Sequence, residues 1–158
     1  MSHYFTTDQT AHDYREMDYT FENSVYKFKT DRGVFSREQL DYGTRVLIRG
    51  VFSDNEEGAA SLIDMGAGYG PIGIILGEAL NARPVMVEVN EDALSLLHDN
   101  IAKNNVSATI LSREAYDQSE AEAELYVTNP PFRAGKDVVM DIIKDGFSRL
   151  ETAGKFYM

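Results

Sequence analysis

Apolar and polar residues alternate with two different periods from residue 61 onward, and this predicts strands that are each followed by a helix. Short apolar runs of the kind found in buried strands occur at 61–65, 84–89, 108–111 and 125–128. Between them, apolar residues at helical spacing predict helices at 71–80, 91–104 and 138–150. This order predicts an α/β fold with a parallel sheet and right-handed crossovers.

The N-terminal part of the chain has a different pattern. Residues 1–18 show no clear period and are predicted to form a loosely attached arm, so the predicted domain covers 19–158. Aromatic residues on both sides of Asn23-Ser24 predict a β-hairpin near 18–30.

A helix is predicted after this hairpin. Ser36 and Gln39 are spaced as in a capping box, in which each side chain satisfies a backbone N–H at a helix start. The helix is expected to carry the apolar residues Leu40, Val46, Leu47 and Ile48.

A further strand is predicted at the end of the sequence. Ala153-Gly154 predicts a turn, and residues 155–158 then have the pattern of a strand opening. A strand of this length with nothing after it would make a poor sheet edge. The sequence therefore predicts the front part of a longer domain whose last strands are missing.

Composition excludes several kinds of site. The 158 residues suit one domain, and the lack of cysteine excludes disulfides, thiolate metal sites and a cysteine nucleophile. No stretch approaches the ~18 apolar residues of a membrane span, and no signal sequence is recognisable, so a cytoplasmic location without a membrane partner is expected. His3, His12 and His98 lack ligand spacing, so no metal is predicted.

The net charge of −11 is unfavourable for a nucleic-acid partner. Fifteen Lys and Arg residues stand against 26 Asp and Glu residues, whereas phosphate contacts normally need a basic face. Binding of RNA would require a local basic patch or a ribonucleoprotein substrate. Arg133 and Lys136 could meet phosphate, or they could be ordinary solvated residues.

A glycine-rich turn follows the first predicted strand of the sheet. Gly66, Gly68 and Gly70 precede Pro71, which suits the first position of a helix. Glycines there permit positive φ and let a ligand approach backbone N–H groups. The turn is either a ligand-binding loop or a tight strand–helix connection.

Two acidic residues favour the first interpretation. Glu88 ends the next strand about 20 residues after the turn, where a carboxylate can accept both ribose hydroxyls of a nucleoside. Asp64 lies inside the strand before the turn, where it can hold an ammonium group or order the turn. This arrangement favours S-adenosylmethionine over a dinucleotide.

The fourth strand of the sheet ends abruptly at Asn129-Pro130-Pro131-Phe132. Proline lacks an N–H and disfavours helical backbone at the residue before it, so Asn129 is expected to be extended with its amide free. Ligands bind at this edge of open α/β sheets. The alternative is a loop that only terminates the strand.

The order of these residues resembles class I S-adenosylmethionine-dependent methyltransferases that act on planar nitrogens. The likeness rests on Asp64-x-Gly66-x-Gly68-x-Gly70, Glu88 and Asn129-Pro130-Pro131-Phe132. A second stretch resembles the small-subunit ribosomal RNA guanine-N2 methyltransferase family in particular, and it is most similar to the short single-domain members of that family. That stretch comprises Gly33-Val34-Phe35-Ser36, Leu40-Asp41-x-Gly43 and Leu47.

The resemblance implies a Rossmann-like class I methyltransferase sheet with helices on both faces, and it assigns roles to single residues. Asn129 and the Pro130 carbonyl would accept the N–H groups of a guanine amine, while Phe132 would stack on the base or pack in the core. Phe35 would border the methionine end of the cofactor, and Glu114 would contact the adenine amine. The family's sixth and seventh strands have no counterpart here, so the domain is expected to be truncated at its C-terminus.

The sequence is compatible with three functions. The first is methyl transfer to guanine N2 of small-subunit ribosomal RNA, with ribosomal RNA or the small subunit as partner. The second is methylation of a glutamine amide in a protein, for which the motif usually has tyrosine in place of Phe132. The third is an inactive cofactor-binding partner or fragment.

Overall fold

The computed structural model describes residues 11–31, 39–131 and 133–158, which form a hairpin followed by alternating strands and helices. Phe35, Ser36 and Phe132 lie outside the described residues. The described elements are β1 Arg15–Phe21, β2 Ser24–Thr30, α1 Tyr42–Asp54, β3 Ser61–Met65, α2 Pro71–Ala79, β4 Arg83–Val87, α3 Glu91–Lys103, β5 Thr109–Leu111, α4 Arg113–Gln118, β6 Ala123–Thr128, α5 Lys136–Arg149 and β7 Leu150–Tyr157.

Strands β3 to β7 form one parallel sheet in the order β5-β4-β3-β6-β7. The chain builds β3, β4 and β5 in one direction and then returns to add β6 on the other side of β3. A crevice opens where the strand order reverses, at the carboxyl ends of β3 and β6, and ligands of open α/β sheets bind in such a crevice.

Helices cover both faces of the sheet. Successive strand residues point to opposite faces, so Leu62 and Ile63, both fully buried, belong to different core clusters. The Leu62 cluster holds side chains from the hairpin and from α1, α2 and α3, whereas the Ile63 cluster holds Tyr116 of α4 and Ile142 of α5. The predicted α/β class with an N-terminal hairpin is confirmed.

The hairpin is attached to α3 through two asparagine side chains. Asn100 accepts the Lys29 N–H at 2.7 Å and donates to the Lys29 carbonyl at 3.0 Å. Asn104, one turn later, makes the same pair of bonds with Lys27 at 2.9 and 2.8 Å. Two amides at this helical spacing therefore replace a neighbouring strand along the outer edge of β2. Asn100 is fully buried and also donates to the Tyr69 carbonyl, at 2.8 Å.

Two predicted boundaries near the N-terminus are wrong. The hairpin begins at Arg15, and its turn residues are Glu22 and Asn23, both at positive φ as a two-residue hairpin loop requires. The first described helix begins at Tyr42, so Gln39 and Leu40 precede it. Its N-cap is Asp41, whose carboxylate accepts the Thr44 N–H at 3.2 Å, and the predicted capping residue Ser36 lies outside the described residues.

The C-terminal strand is also longer than predicted. Strand β7 begins at Leu150, directly after α5, and it pairs with β6. The expected turn is an irregularity inside this strand, where Ala153 has a φ of 67° and the pairing register shifts. Helix α4 was not predicted, since six residues are too few for a clear helical period. No helix among the described residues is long and apolar enough to cross a membrane.

Candidate active site

The turn between β3 and α2 presents two glycines to open space. Gly66 and Gly68 have φ values of 76° and 60°, and apart from their chain neighbours no described residue lies within 4 Å of the position of a Cβ at either glycine. The turn is held against the sheet because the N–H groups of Gly66 and Ala67 both donate to the Val87 carbonyl at 2.9 Å. The result is a rigid backbone cradle with room beside it for a ligand.

Gly70 has a different role from the other two glycines of the motif. Its φ is 112°, and a Cβ there would lie 2.8 Å from the Cδ1 atoms of both Ile74 and Leu97. Gly70 therefore lets α2 and α3 pack closely beneath the turn. It shapes the cradle from below, and a direct contact of Gly70 with the cofactor stays a prediction.

Glu88 is bonded to the glycine turn. Its Oε1 accepts the Gly68 N–H at 2.7 Å, and its Oε2 accepts the N–H groups of Val89 and Asn90 at 3.0 and 2.8 Å. An ionised carboxylate has about four acceptor positions. One position on Oε1 is therefore left for a donor such as a ribose hydroxyl, and the side chain is only 9% exposed.

Asp64 is fully buried under the same turn. Its Oδ2 accepts the Gly73 N–H at 2.9 Å, which ties β3 to the first turn of α2. Its Oδ1 is the one buried side-chain polar atom of the described residues without a hydrogen-bond partner. Burial raises the pKa of Asp64 to about 7; the bond from Gly73 opposes this rise and the charge of Glu88 adds to it.

Asn129 lies at the carboxyl end of β6, which is next to β3 in the sheet. Its Nδ2 donates to Thr44 Oγ1 of α1 at 3.0 Å, and the Thr44 hydroxyl donates to Asp41 Oδ1 at 2.6 Å. Asn129 is exposed and Pro130 half-buried. Within the described residues, no donor reaches Asn129 Oδ1 or the Pro130 carbonyl, so both acceptors are available to a ligand.

The structure brings most of the predicted site residues to one edge of the sheet. Asp64, the glycine turn and Glu88 meet at the ends of β3 and β4, and Asn129 follows the neighbouring β6. Glu114 is exposed in the first turn of α4, just after β5, whose Leu111 carbonyl accepts the Glu88 N–H at 3.2 Å. Glu114 is thus on the correct edge, and its role stays a prediction. The roles of Phe35 and Phe132, which the structure does not describe, likewise stay predictions.

Thr44 and Asn100 are two residues near the site to which the sequence analysis assigned no role. Thr44 is hydrogen-bonded to Asn129 although 85 residues separate them. Asp41 with Thr44 has the spacing of an N-cap, and that local signal could have identified the helix start. Asn100 had no such signal, because its contacts with Lys29 and Tyr69 arise only from tertiary packing.

The fold and the site together define a class. A parallel sheet with a switch point, an open glycine cradle and an acid on the next strand form a nucleoside-binding α/β domain. The chain belongs to the methyltransferase small domain family, whose model matches residues 25–158. It is therefore a methyltransferase domain, and the family resemblance predicted from the sequence is confirmed.

Individual relatives agree with this assignment. The Bacillus subtilis protein YbxB is 30% identical over 99% of this chain and 79% of its own length. Ribosomal RNA small subunit methyltransferase C of Haemophilus influenzae is 31% identical over 66% of this chain. The chain spans 31% of the length of that relative.

One solved structure shares most of the fold. It is the Thermus thermophilus 16S rRNA N2 G1207 methyltransferase in complex with AdoMet and guanosine, with a TM-score of 0.81 and 26% identity. The match covers 90% of this chain and 41% of that protein. The Rossmann-like methyltransferase fold predicted from the sequence is thus confirmed.

Proposed function

We propose that this domain transfers a methyl group from S-adenosylmethionine to the exocyclic N2 amine of a guanine in small-subunit ribosomal RNA, in the cytoplasm. We base this on the position of Asn129, whose amide oxygen and neighbouring Pro130 carbonyl accept no hydrogen bond from the described part of the chain, at the sheet edge that carries the glycine cradle. The names of the relatives and of the solved structure support ribosomal RNA as substrate.

The cofactor is S-adenosylmethionine, and the residues present fit it. Gly66 and Gly68 leave open space beside backbone N–H groups, and Glu88 keeps one acceptor position for a ribose hydroxyl. The unpartnered Oδ1 of Asp64 is suited to a donor on or near the cofactor. When bound, S-adenosylmethionine would supply a methyl group to the lone pair of the acceptor nitrogen; S-adenosylhomocysteine would leave with the electrons of the broken C–S bond, and solvent would take up the proton released from that nitrogen.

Asn129 and Pro130 orient the acceptor. The lone pair of a guanine N2 amine is delocalised into the ring, so the nitrogen is a weak nucleophile. Two carbonyl oxygens that accept its N–H bonds favour a more tetrahedral nitrogen and aim the lone pair at the methyl group. Orientation of this kind can lower a barrier by up to about 7–11 kcal/mol in ideal cases, and it needs no strong base.

The distribution of unpaired cations supports an RNA acceptor despite the net charge of −11. Most described Lys and Arg residues form ion pairs, including Lys27 with Asp18 and Arg49 with Glu22. The described cations without a carboxylate partner are Arg45, Arg83, Arg133, Lys136 and Lys144.

Three of these five residues are close in sequence to the contact between Asn129 and Thr44. Arg45 follows Thr44, and its guanidinium lies 5.6 Å from the ring centroid of Tyr42, which is 74% exposed. Arg133 and Lys136 follow the Asn129 turn directly. A local basic patch is what an acidic protein needs to bind RNA phosphates at its active site.

The acceptor is tested by transfer of labelled methyl groups. The full chain would be incubated with labelled S-adenosylmethionine and, in separate reactions, small ribosomal subunits, naked ribosomal RNA, ribosomal proteins and a glutamine-containing peptide. Products would be digested to nucleosides or amino acids. We expect label in N2-methylguanosine. Label in glutamine would replace this proposal with a protein acceptor, and cofactor binding without any transfer would indicate an inactive domain.

A further inference from the structure

Three side chains from two distant parts of the chain form a series of hydrogen bonds that ends on Asn129. The Thr44 hydroxyl donates its only proton to Asp41 Oδ1 across 2.6 Å. It can therefore only accept in its contact with Asn129 Nδ2, which is 3.0 Å away. An ionised Asp41, which accepts and cannot donate, thus sets the direction of both bonds.

This direction fixes the orientation of the Asn129 amide. With the NH2 group bound to Thr44, the amide oxygen must point to the other side, where no described residue donates to it. The reversed amide would place its oxygen against a hydroxyl oxygen whose proton is already committed to Asp41. The two orientations, nearly equal in energy for a free asparagine, are therefore strongly unequal here.

Thr44 is buried at the centre of this series of bonds, and the start of α1 lies close to the Asn129 amide. Thr44 is 5% exposed, so water competes little for its hydroxyl. The Asp41 carboxylate also caps α1 by accepting the Thr44 N–H at 3.2 Å, so one group fixes both the helix start and the hydroxyl. A Cβ at Gly43 would be 4.0 Å from Asn129 Nδ2, which shows how closely the helix start approaches the amide.

We propose that Asp41 and Thr44 are positioning residues that hold the Asn129 amide oxygen toward the acceptor amine. The proposal rests on the methyl transfer proposed above. It assigns α1 a role in selecting the acceptor, since an oxygen at this point binds an N–H donor, whereas the reversed amide would present its own N–H groups to the substrate.

Three substitutions distinguish a change in the orientation of the Asn129 amide from a loss of folding. Thr44→Val keeps the shape of the buried side chain and removes the hydroxyl, whereas Thr44→Ser keeps the hydroxyl. Asp41→Asn retains an oxygen to cap α1, yet its NH2 group would donate to Thr44. The Thr44 hydroxyl would then donate to Asn129, so this variant favours the reversed amide with the helix start intact.

The orientation itself is measured by nuclear magnetic resonance, without any substrate. The side-chain NH2 signals of Asn129 in the 15N-labelled full chain are identified by their loss in Asn129→Ala. We expect one of the two protons to exchange slowly with solvent in wild type and Thr44→Ser, and quickly in Thr44→Val and Asp41→Asn. Fast exchange in wild type, or slow exchange in Thr44→Val, would overturn the proposal.

The consequence for catalysis is measured as a split between kcat and KM. A misoriented group can cost ~100-fold in rate, so Thr44→Val and Asp41→Asn should lower kcat by about 10- to 100-fold. Cofactor Kd should change by less than about twofold, and acceptor KM should change much less than kcat because phosphate contacts dominate the affinity for RNA, while Thr44→Ser should stay near wild type. An unchanged kcat, or an equal loss of cofactor affinity, would contradict the positioning role. A wild-type chain inactive on every acceptor would refute the proposed function, and the resonance measurement would still decide the orientation.

Discussion

The carboxylate of Glu88 accepts the N–H of Gly68 across 2.7 Å and thereby connects the end of β4 to the glycine turn that follows β3. This bond holds the turn in a conformation with positive φ while leaving an acceptor position free. The same side chain therefore shapes the cradle and, in the proposed function, also binds the cofactor.

Replacement of Glu88 should weaken cofactor binding. Glu88→Gln keeps the size of the side chain, but its NH2 group cannot accept the bonds that one carboxylate oxygen accepts. A hydrogen bond to a charged group contributes about 1.5–3 kcal/mol, so the Kd for S-adenosylmethionine should rise by about 10- to 100-fold. Calorimetric titration measures it, with Glu91→Gln as an exposed control on α3. An unchanged Kd would show that Glu88 does not contribute to cofactor binding.

The Asp64 carboxyl should make stability depend on pH. Its pKa is raised from 3.8 to about 7 in the folded protein, so the folded state binds more protons than the unfolded state between these values. Stability should therefore fall as pH rises from about 4 to about 7, by up to ~4 kcal/mol from this group.

Urea unfolding of the cofactor-free protein across this pH range measures the effect. The neutral Asp64→Asn should lack this part of the pH dependence, and the difference between the two curves isolates Asp64 from the other acids. Parallel curves for wild type and Asp64→Asn would show that Asp64 ionises at the same pH in the folded and unfolded states, which would contradict the raised pKa.

Two glycines inside helices should respond in opposite ways to alanine. A Cβ at Gly73 would lie 3.0 Å from Asp64 Oδ2 and 2.5 Å from Met86 Cε, so Gly73→Ala should destabilise by about 1–3 kcal/mol through overpacking. Gly50 of α1 has no described residue outside its own helix within 4 Å of its Cβ position, so Gly50→Ala should stabilise by about 0.5–1 kcal/mol. Thermal unfolding of both variants checks the pair, and equal effects would refute the packing difference.

The unpaired cations beside the active site should set the salt dependence of RNA binding. Each phosphate contact with a single strand contributes about 0.7 to the slope of log K against log salt, so Arg133→Gln with Lys136→Gln should reduce it by about 1.4. The matched control is Arg83→Gln with Lys144→Gln, which removes the same charge from residues that also lack ion pairs. Titration of a labelled ribosomal RNA fragment at several salt concentrations measures the slope. Equal reductions in both double variants would argue against a local RNA patch.

The features that sequence could predict are those that depend on neighbouring residues. The glycine turn, Glu88 and Asn129 each sit at a strand end, and a parallel sheet necessarily collects such ends at one edge. The periods of apolar residues were sufficient to predict the sheet, because its central strands are buried on both faces and therefore appear as continuous apolar runs.

The features that sequence could not predict depend on contacts between distant residues. Thr44 and Asn129 approach only because α1 packs beside the end of β6. Asp41 with Thr44 is one of two similar capping patterns in this stretch of sequence, and only the packed helix shows that Asp41 caps α1. Ala153 and Gly154 have the composition of a turn, yet pairing with β6 keeps them in a strand with a bulge.

The most direct test of the whole account is the single-turnover rate of methyl transfer to small-subunit ribosomal RNA, with the product digested to nucleosides. Wild type would be compared with Asn129→Ala and with Gln118→Ala, which removes an exposed amide at the end of α4. We predict N2-methylguanosine at equal rates for wild type and Gln118→Ala, and a rate lower by about 100-fold for Asn129→Ala. Equal rates for wild type and Asn129→Ala, or a label in any other product, would contradict the account.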